Sequence, residues 1–202
     1  METPATTPPT FADSTPLGLL GLAIGCAALT PVAFGKALTP DALRTAAWFC
    51  LLFGGGGQLL AGLMALANKN QLGGTLFTTF SFNWLMNWWA LTELSNGRIP
   101  NSSIIFSVDV CFLIVFVVLT YAFGFFSKLL LVFLLDIDLL YVLRIAREVT
   151  HIRALGLPVA LCTVALAGIA LWIAFALLVN PTAGRNVFHM PGPAFTPPTP
   201  KT

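Results

Sequence analysis

The sequence predicts an all-α membrane protein with six transmembrane helices. Composition is the first observation. Of 202 residues, 57% are hydrophobic and only 9% are charged, where a soluble domain carries about a quarter. The second is a mean hydropathy of +0.87. The third is pattern: within residues 16–180 the apolar residues gather into six long stretches, and nearly all ionisable residues fall at their ends. The exceptions are Asp109, Asp136 and Asp138. An aspartate near a bilayer midplane costs roughly 2.5 to 3.5 kcal/mol, so such residues need polar neighbours, and their first reading is a transport path.

A helix needs about 20 apolar residues to cross the hydrocarbon core, which places spans near residues 17–34, 46–67, 74–94, 104–126, 129–143 and 154–179. The first opens with Thr15-Pro16-Leu17-Gly18-Leu19, where Thr15 can cap the helix and Pro16 suits its first position. The second holds Gly54-Gly55-Gly56-Gly57-Gln58-Leu59-Leu60-Ala61-Gly62-Leu63. Each glycine loses about 1 kcal/mol of helix propensity against alanine, so the run predicts close approach of a neighbouring backbone. Gly57 with Ala61, and Gly21 with Gly25, form small faces for tight crossing. Gln58 is left with two readings of equal weight, interhelical glue or path lining.

The third span sets Asn83 and Asn87 beside Trp84, Trp88 and Trp89, so part of it should face protein or water while the indoles sit toward an interface. The fourth carries Asp109. The fifth carries Asp136 and Asp138, whose insertion cost takes back roughly the 6 kcal/mol that its apolar residues supply, so neighbouring helices must shelter it. These two aspartates point about 200° apart on a helix and cannot both face one path. One is expected toward another helix of the same protomer and the other toward a protomer contact. Residues 16–180 thus form the membrane domain. Residues 1–15, without a basic start, and the Pro-rich residues 181–202 are expected to be tails, with no further domain at either end.

Cys26, Cys50, Cys111 and Cys162 lie inside spans without C-x-x-C spacing, and His151 and His189 lie outside them, so no metal site or disulfide framework is expected. No nucleotide-binding or hydrolase motif occurs; the expectation is a non-enzyme without cofactor or nucleic-acid partner, in contact with membrane lipid. An even number of spans puts both termini on one side with Lys69, Lys128, Arg185 and Lys201. Opposite them lie Lys36, Arg44, Arg98, Arg144, Arg147 and Arg153, a six-to-four tally that leans toward external termini.

Beyond the glycine run the chain reads Asn70, Gly73, Gly74, Thr75, Phe77, then Phe80-Ser81-Phe82-Asn83-Trp84-Leu85. Taken with the first two motifs, this order resembles the acetate uptake transporter family over about residues 13–191. The family's second span reads G-G-x-x-Q-x-x-A-G-L, matched here by Gly54, Gly55, Gln58, Ala61, Gly62 and Leu63, and its N-x-x-G-x-T-x-F by Asn70, Gly73, Thr75 and Phe77. Asn180, Gly184, Arg185 and Val187 resemble its closing N-x-x-x-G-R-x-V. At the opening signature N-P-[AV]-P-[LF]-[GS]-[LF] this chain keeps Pro16 and Gly18 but has Asp13 and Ser14 in place of Asn-Pro.

The resemblance implies six helices around a narrow central path in each protomer, hexameric assembly, residence in the cytoplasmic (inner) membrane and cytoplasmic termini, against the charge tally. It also implies a hydrophobic constriction at Leu22, Phe80 and Ile137 and transport of acetate and other small monocarboxylates, with the dicarboxylate succinate and proton coupling as further expectations. Gln58, Thr79, Ser81 and Asn83 are the expected solute donors, since no lysine or arginine in the spans lies deep enough to hold a carboxylate. Asp109, Asp136 and Asp138 are the proton-handling candidates. An ionised Asp13 about 5 Å from an anion costs it roughly 3 kcal/mol at an effective dielectric near 20, against about 4 kcal/mol for millimolar binding. Asp13 therefore points away, is protonated, or the cargo is neutral. The alternatives are a pore for a neutral solute such as urea or ammonia, or a scaffold with a blocked path.

Overall fold

The computed structural model describes residues 9–196; the outer parts of both predicted tails, residues 1–8 and 197–202, lie outside the described residues. Among the described residues there are six long helices and no strand, one helix on each predicted span. They are α1 (Thr15–Ala33), α2 (Pro40–Ala67), α3 (Gln71–Ser95), α4 (Ser102–Phe123), α5 (Lys128–Thr150) and α6 (Gly156–Ala183). Polar side chains start several of them: Thr39 accepts from the Ala42 N–H, Asn70 from Gly73, Asn101 from Ile104 and Ser127 from Leu129. His151 and Gly184, both left-handed, close α5 and α6.

By length and composition α1, α2, α4 and the segment Arg153–Ala183 are long and apolar enough to cross a membrane. The two remaining helices, α3 and α5, carry Asn83 with Asn87 and Asp136 with Asp138. The surface is rich in large apolar side chains, among them Leu52, Ile114, Val118 and Leu161, as expected of an integral membrane protein. α1 packs on α2 and α6, α2 on α3, and α5 on both α4 and α6.

The glycine run does bring backbones together. α2 widens into a π-helical stretch over Cys50–Gly57, and a Cβ on Gly54 would lie 2.3 Å from the Trp84 indole of α3. On the other side, a Cβ on Gly21 of α1 would meet the Phe53 carbonyl at 2.5 Å. Trp84 is 2% exposed, so the expectation that it sits at an interface is wrong: pockets left by Gly25 and Gly54 hold it in the core. Of the three indoles on α3, Trp89 is the exposed one.

Three further expectations change. Thr15 is not the cap: Ser14 is, and it sends its hydroxyl to the Ala61 carbonyl of α2, while Thr15 donates its N–H and hydroxyl to Asp13 Oδ1. The fifth helix does not stop near residue 143 but runs to Thr150, carrying Arg144 and Arg147 on helical backbone, because hydropathy ends there and helix propensity does not. Nor do the inner parts of the tails hang free. Phe11 pairs through its backbone with Asn68, and residues 187–195 fold back as a strap. Asn180 accepts from the Val187 and Phe188 N–H groups, Ser127 donates to the Pro191 carbonyl, and Phe195 packs on Tyr121 and Phe125.

Candidate solute path

Two cavities are bordered by successive turns of α1, α3, α5 and α6, the first of them also by Phe123 of α4. The first, about 190 Å³, is at the end where α1 starts: Asp13, Thr15 and Leu19, Asn70, Gly73 and Phe77, Leu130 and Phe133, and Ile173 border it, and Met190 of the strap reaches into it. The second, about 230 Å³, is bordered by Cys26 of α1, by Phe80, Asn83, Trp84 and Asn87 of α3, by Leu140, Arg144 and Arg147 of α5, and by Thr163 and Leu166 of α6. We call these the outer mouth and the inner basin, without reference to membrane sides.

The helix register fixes what lies between. Leu22 falls between Leu19 and Cys26 on α1, Ile137 between Phe133 and Leu140 on α5, and Ala170 between Leu166 and Ile173 on α6. Phe80 is on the inner floor of that layer, three residues past Phe77. Leu22 and Ile137 are 0% exposed and Phe80 3%, all in one apolar cluster. The Phe80 ring lies edge-on to Phe116 at 5.0 Å and tilted to Trp84 at 6.1 Å. Close apolar packing of this kind is what a dewetted constriction would require.

The expected polar residues divide. Asn83 borders the basin, and its carbonyl accepts from the Asn87 amide. Ser81 is buried and donates to the Thr78 carbonyl, and Thr79 is half-buried; neither borders the mouth or the basin. Gln58 is 0% exposed, and neither its amide oxygen nor its nitrogen has a partner among the described residues. Leaving such an amide unsatisfied costs about 1–3 kcal/mol. Of the opening-signature residues, Pro16 sits in the first helical turn, Gly18 lies against the Phe77 ring, and Asp13 borders the mouth instead of pointing away.

The aspartates all find neighbours within this chain. Thr120 of α4 donates to Asp138 Oδ2 at 2.7 Å, and the Cys162 thiol of α6 lies beside the Asp136 carboxyl. Each of the pair thus has a partner on another helix of the same chain, Asp138 on α4 and Asp136 on α6. Asp109 forms an ion pair with Arg144 at 3.1 Å. Arg144 and Arg147 are the residues missed in the sequence. The expectation that no basic residue lies deep enough to meet a carboxylate is overturned, since both border the inner basin. Their trace in the sequence is that no proline or glycine interrupts residues 128–150.

No protein-family model matches the chain, and no curated protein matches it by sequence. The fold is similar to that of a solved structure described as the bacterial acetate channel SatP, with a TM-score of 0.80 and 21% identity over 90% of this chain and 99% of that one. At that identity the likeness establishes the architecture alone.

Proposed function

We propose that this chain is a channel or transporter for acetate and related small monocarboxylates, with the path running through the protomer from mouth to basin. The observation that carries this reading is the pair of cavities bordered by successive turns of the same helices, with the buried apolar residues Leu22 and Ile137 between their linings and Phe80 on the border of the second. The shared architecture with an acetate channel supports it. So does the basin, whose lining holds two arginines, two asparagines and a threonine but no carboxylate, an electropositive funnel suited to an anion. In this reading Gln58, which borders neither cavity, offers its unpaired amide to a solute crossing between them, Thr79 and Ser81 shape α3 behind the path, and flux follows the solute gradient. Succinate, a larger dicarboxylate, is a further cargo in this proposal, and Asp109, Asp136 and Asp138 are the carboxyl groups available for proton coupling. Assembly into a hexamer is part of the proposal, supported by the apolar outer face of α4, as are the cytoplasmic membrane and cytoplasmic termini.

The test is uptake by liposomes containing the purified protein. Labelled acetate should enter faster than into empty liposomes, and urea should not. A second reading, a pore for a small neutral solute, is favoured by one observation: Asp13 stands at the outer mouth with no basic residue among that cavity's lining. Urea entry without acetate entry would decide for it.

A further inference from the structure

Arg144 stands where two cavities meet. It borders the inner basin, and with Arg147 it also borders a larger cavity of about 460 Å³ between α3, α4 and α5, whose other charged residues are Asp109, Glu148 and Arg153. The closest approach of Asp109 to it is Oδ2 to Nη2 at 3.1 Å, and no second, parallel hydrogen bond joins the two among the described residues. A guanidinium presents several donors in a rigid fork that matches a carboxylate with two parallel bonds, so the pairing leaves most of that capacity unused. Tyr141 supports the guanidinium plane from below at 5.5 Å, and 28% of the side chain remains open. The group held there by the protein, a carboxylate on a short stem, is the chemical group of the proposed cargo.

We propose that Arg144 is the carboxylate-docking residue of this path and that Asp109 is a built-in competitor, which holds the guanidinium between visits and yields it to an arriving anion. The inference rests on the monocarboxylate reading above. Exchange of one carboxylate for another keeps the arginine paired and transfers the cost of an unpaired charge to Asp109, which is what drives its return. Return of Asp109 then releases the cargo, so the site favours throughput over affinity. Arg147, open to both cavities, adds to the positive potential that draws the anion in.

The test compares Arg144→Gln, Asp109→Asn and the double variant in liposomes, with labelled acetate and acetamide as probes, beside the acetate-dependent melting temperature of each purified protein. A docking arginine and its competitor predict effects of opposite sign. Arg144→Gln should raise the half-saturating acetate concentration and lower the ratio of acetate to acetamide flux, each about tenfold, the change that 1.4 kcal/mol produces. Asp109→Asn should lower the half-saturating concentration several-fold and strengthen stabilisation by acetate, and the double variant should behave as Arg144→Gln. A purely structural ion pair predicts the same sign for both single variants, and that result overturns the proposal. If the parent passes no acetate but is stabilised by it in an Arg144-dependent way, docking stands while the transport reading fails. Absence of both flux and stabilisation overturns the two together.

Discussion

At Phe80 the ring is wedged between Phe116 and Trp84 on the inner floor of the layer that separates the two cavities. Truncation to alanine removes a core contact worth about 3–5 kcal/mol and opens the layer at the same place. Phe80→Ala should therefore melt earlier yet pass acetate faster and admit longer acids such as butyrate, read as initial uptake rates per folded protein. Unchanged rates in folded variant would take Phe80 out of the constriction. Gln58 makes the converse case. Its amide is buried without a partner, so Gln58→Leu should raise the melting temperature by removing an uncompensated polar group, and lower acetate flux if that amide serves the solute. A variant that melts earlier would mean that the amide is already satisfied. Both residues were legible from motif and resemblance. Arg144 was not, because a hydropathy window closes at the first arginine whatever the backbone does next.

Among the elements, α2 depends most on what it lacks. Its glycines let α1 and α3 approach, and Trp84 fills the recess over Gly54. Gly54→Ala should lower the melting temperature by several degrees, since a rigid indole must move, while Gly168→Ala on α6, with nothing within 4 Å of the new methyl, should be neutral or slightly stabilising. Equal melting of the two would remove the close-approach argument. That approach was readable from four successive glycines; which side chain would fill the recess was not, and the interfacial preference of tryptophan gave the wrong answer for Trp84. The pairing of Thr120 with Asp138 was equally hidden, because it depends on how α4 is rotated against α5, and neither helix has a local motif that fixes rotation. The strap was missed for a different reason: its hold comes from backbone hydrogen bonds to Ser127, Asn180 and Gly124, which composition does not display.

Across the whole molecule, an even number of helices puts Asp13 and the strap at one end and Arg144, Arg147 and Arg153 at the other. The proposed cytoplasmic termini can be checked with a cysteine at Thr202 in a background lacking Cys26, Cys50, Cys111 and Cys162. A membrane-impermeant thiol reagent should fail to reach it in intact cells, and labelling from outside would favour the charge tally. The unequal ends also have an electrical consequence. Fixed positive charge at the basin concentrates anions there, and the carboxylate of Asp13 thins them at the other entrance, so conductance should depend on the sign of the voltage. In a planar bilayer with the same acetate solution on both sides, current carried by acetate entering from the Arg144 end should exceed the current at the opposite polarity. Asp13→Asn should straighten the current–voltage curve. At zero voltage the asymmetry drives nothing: a pore of this kind can favour a direction only when something else supplies the force.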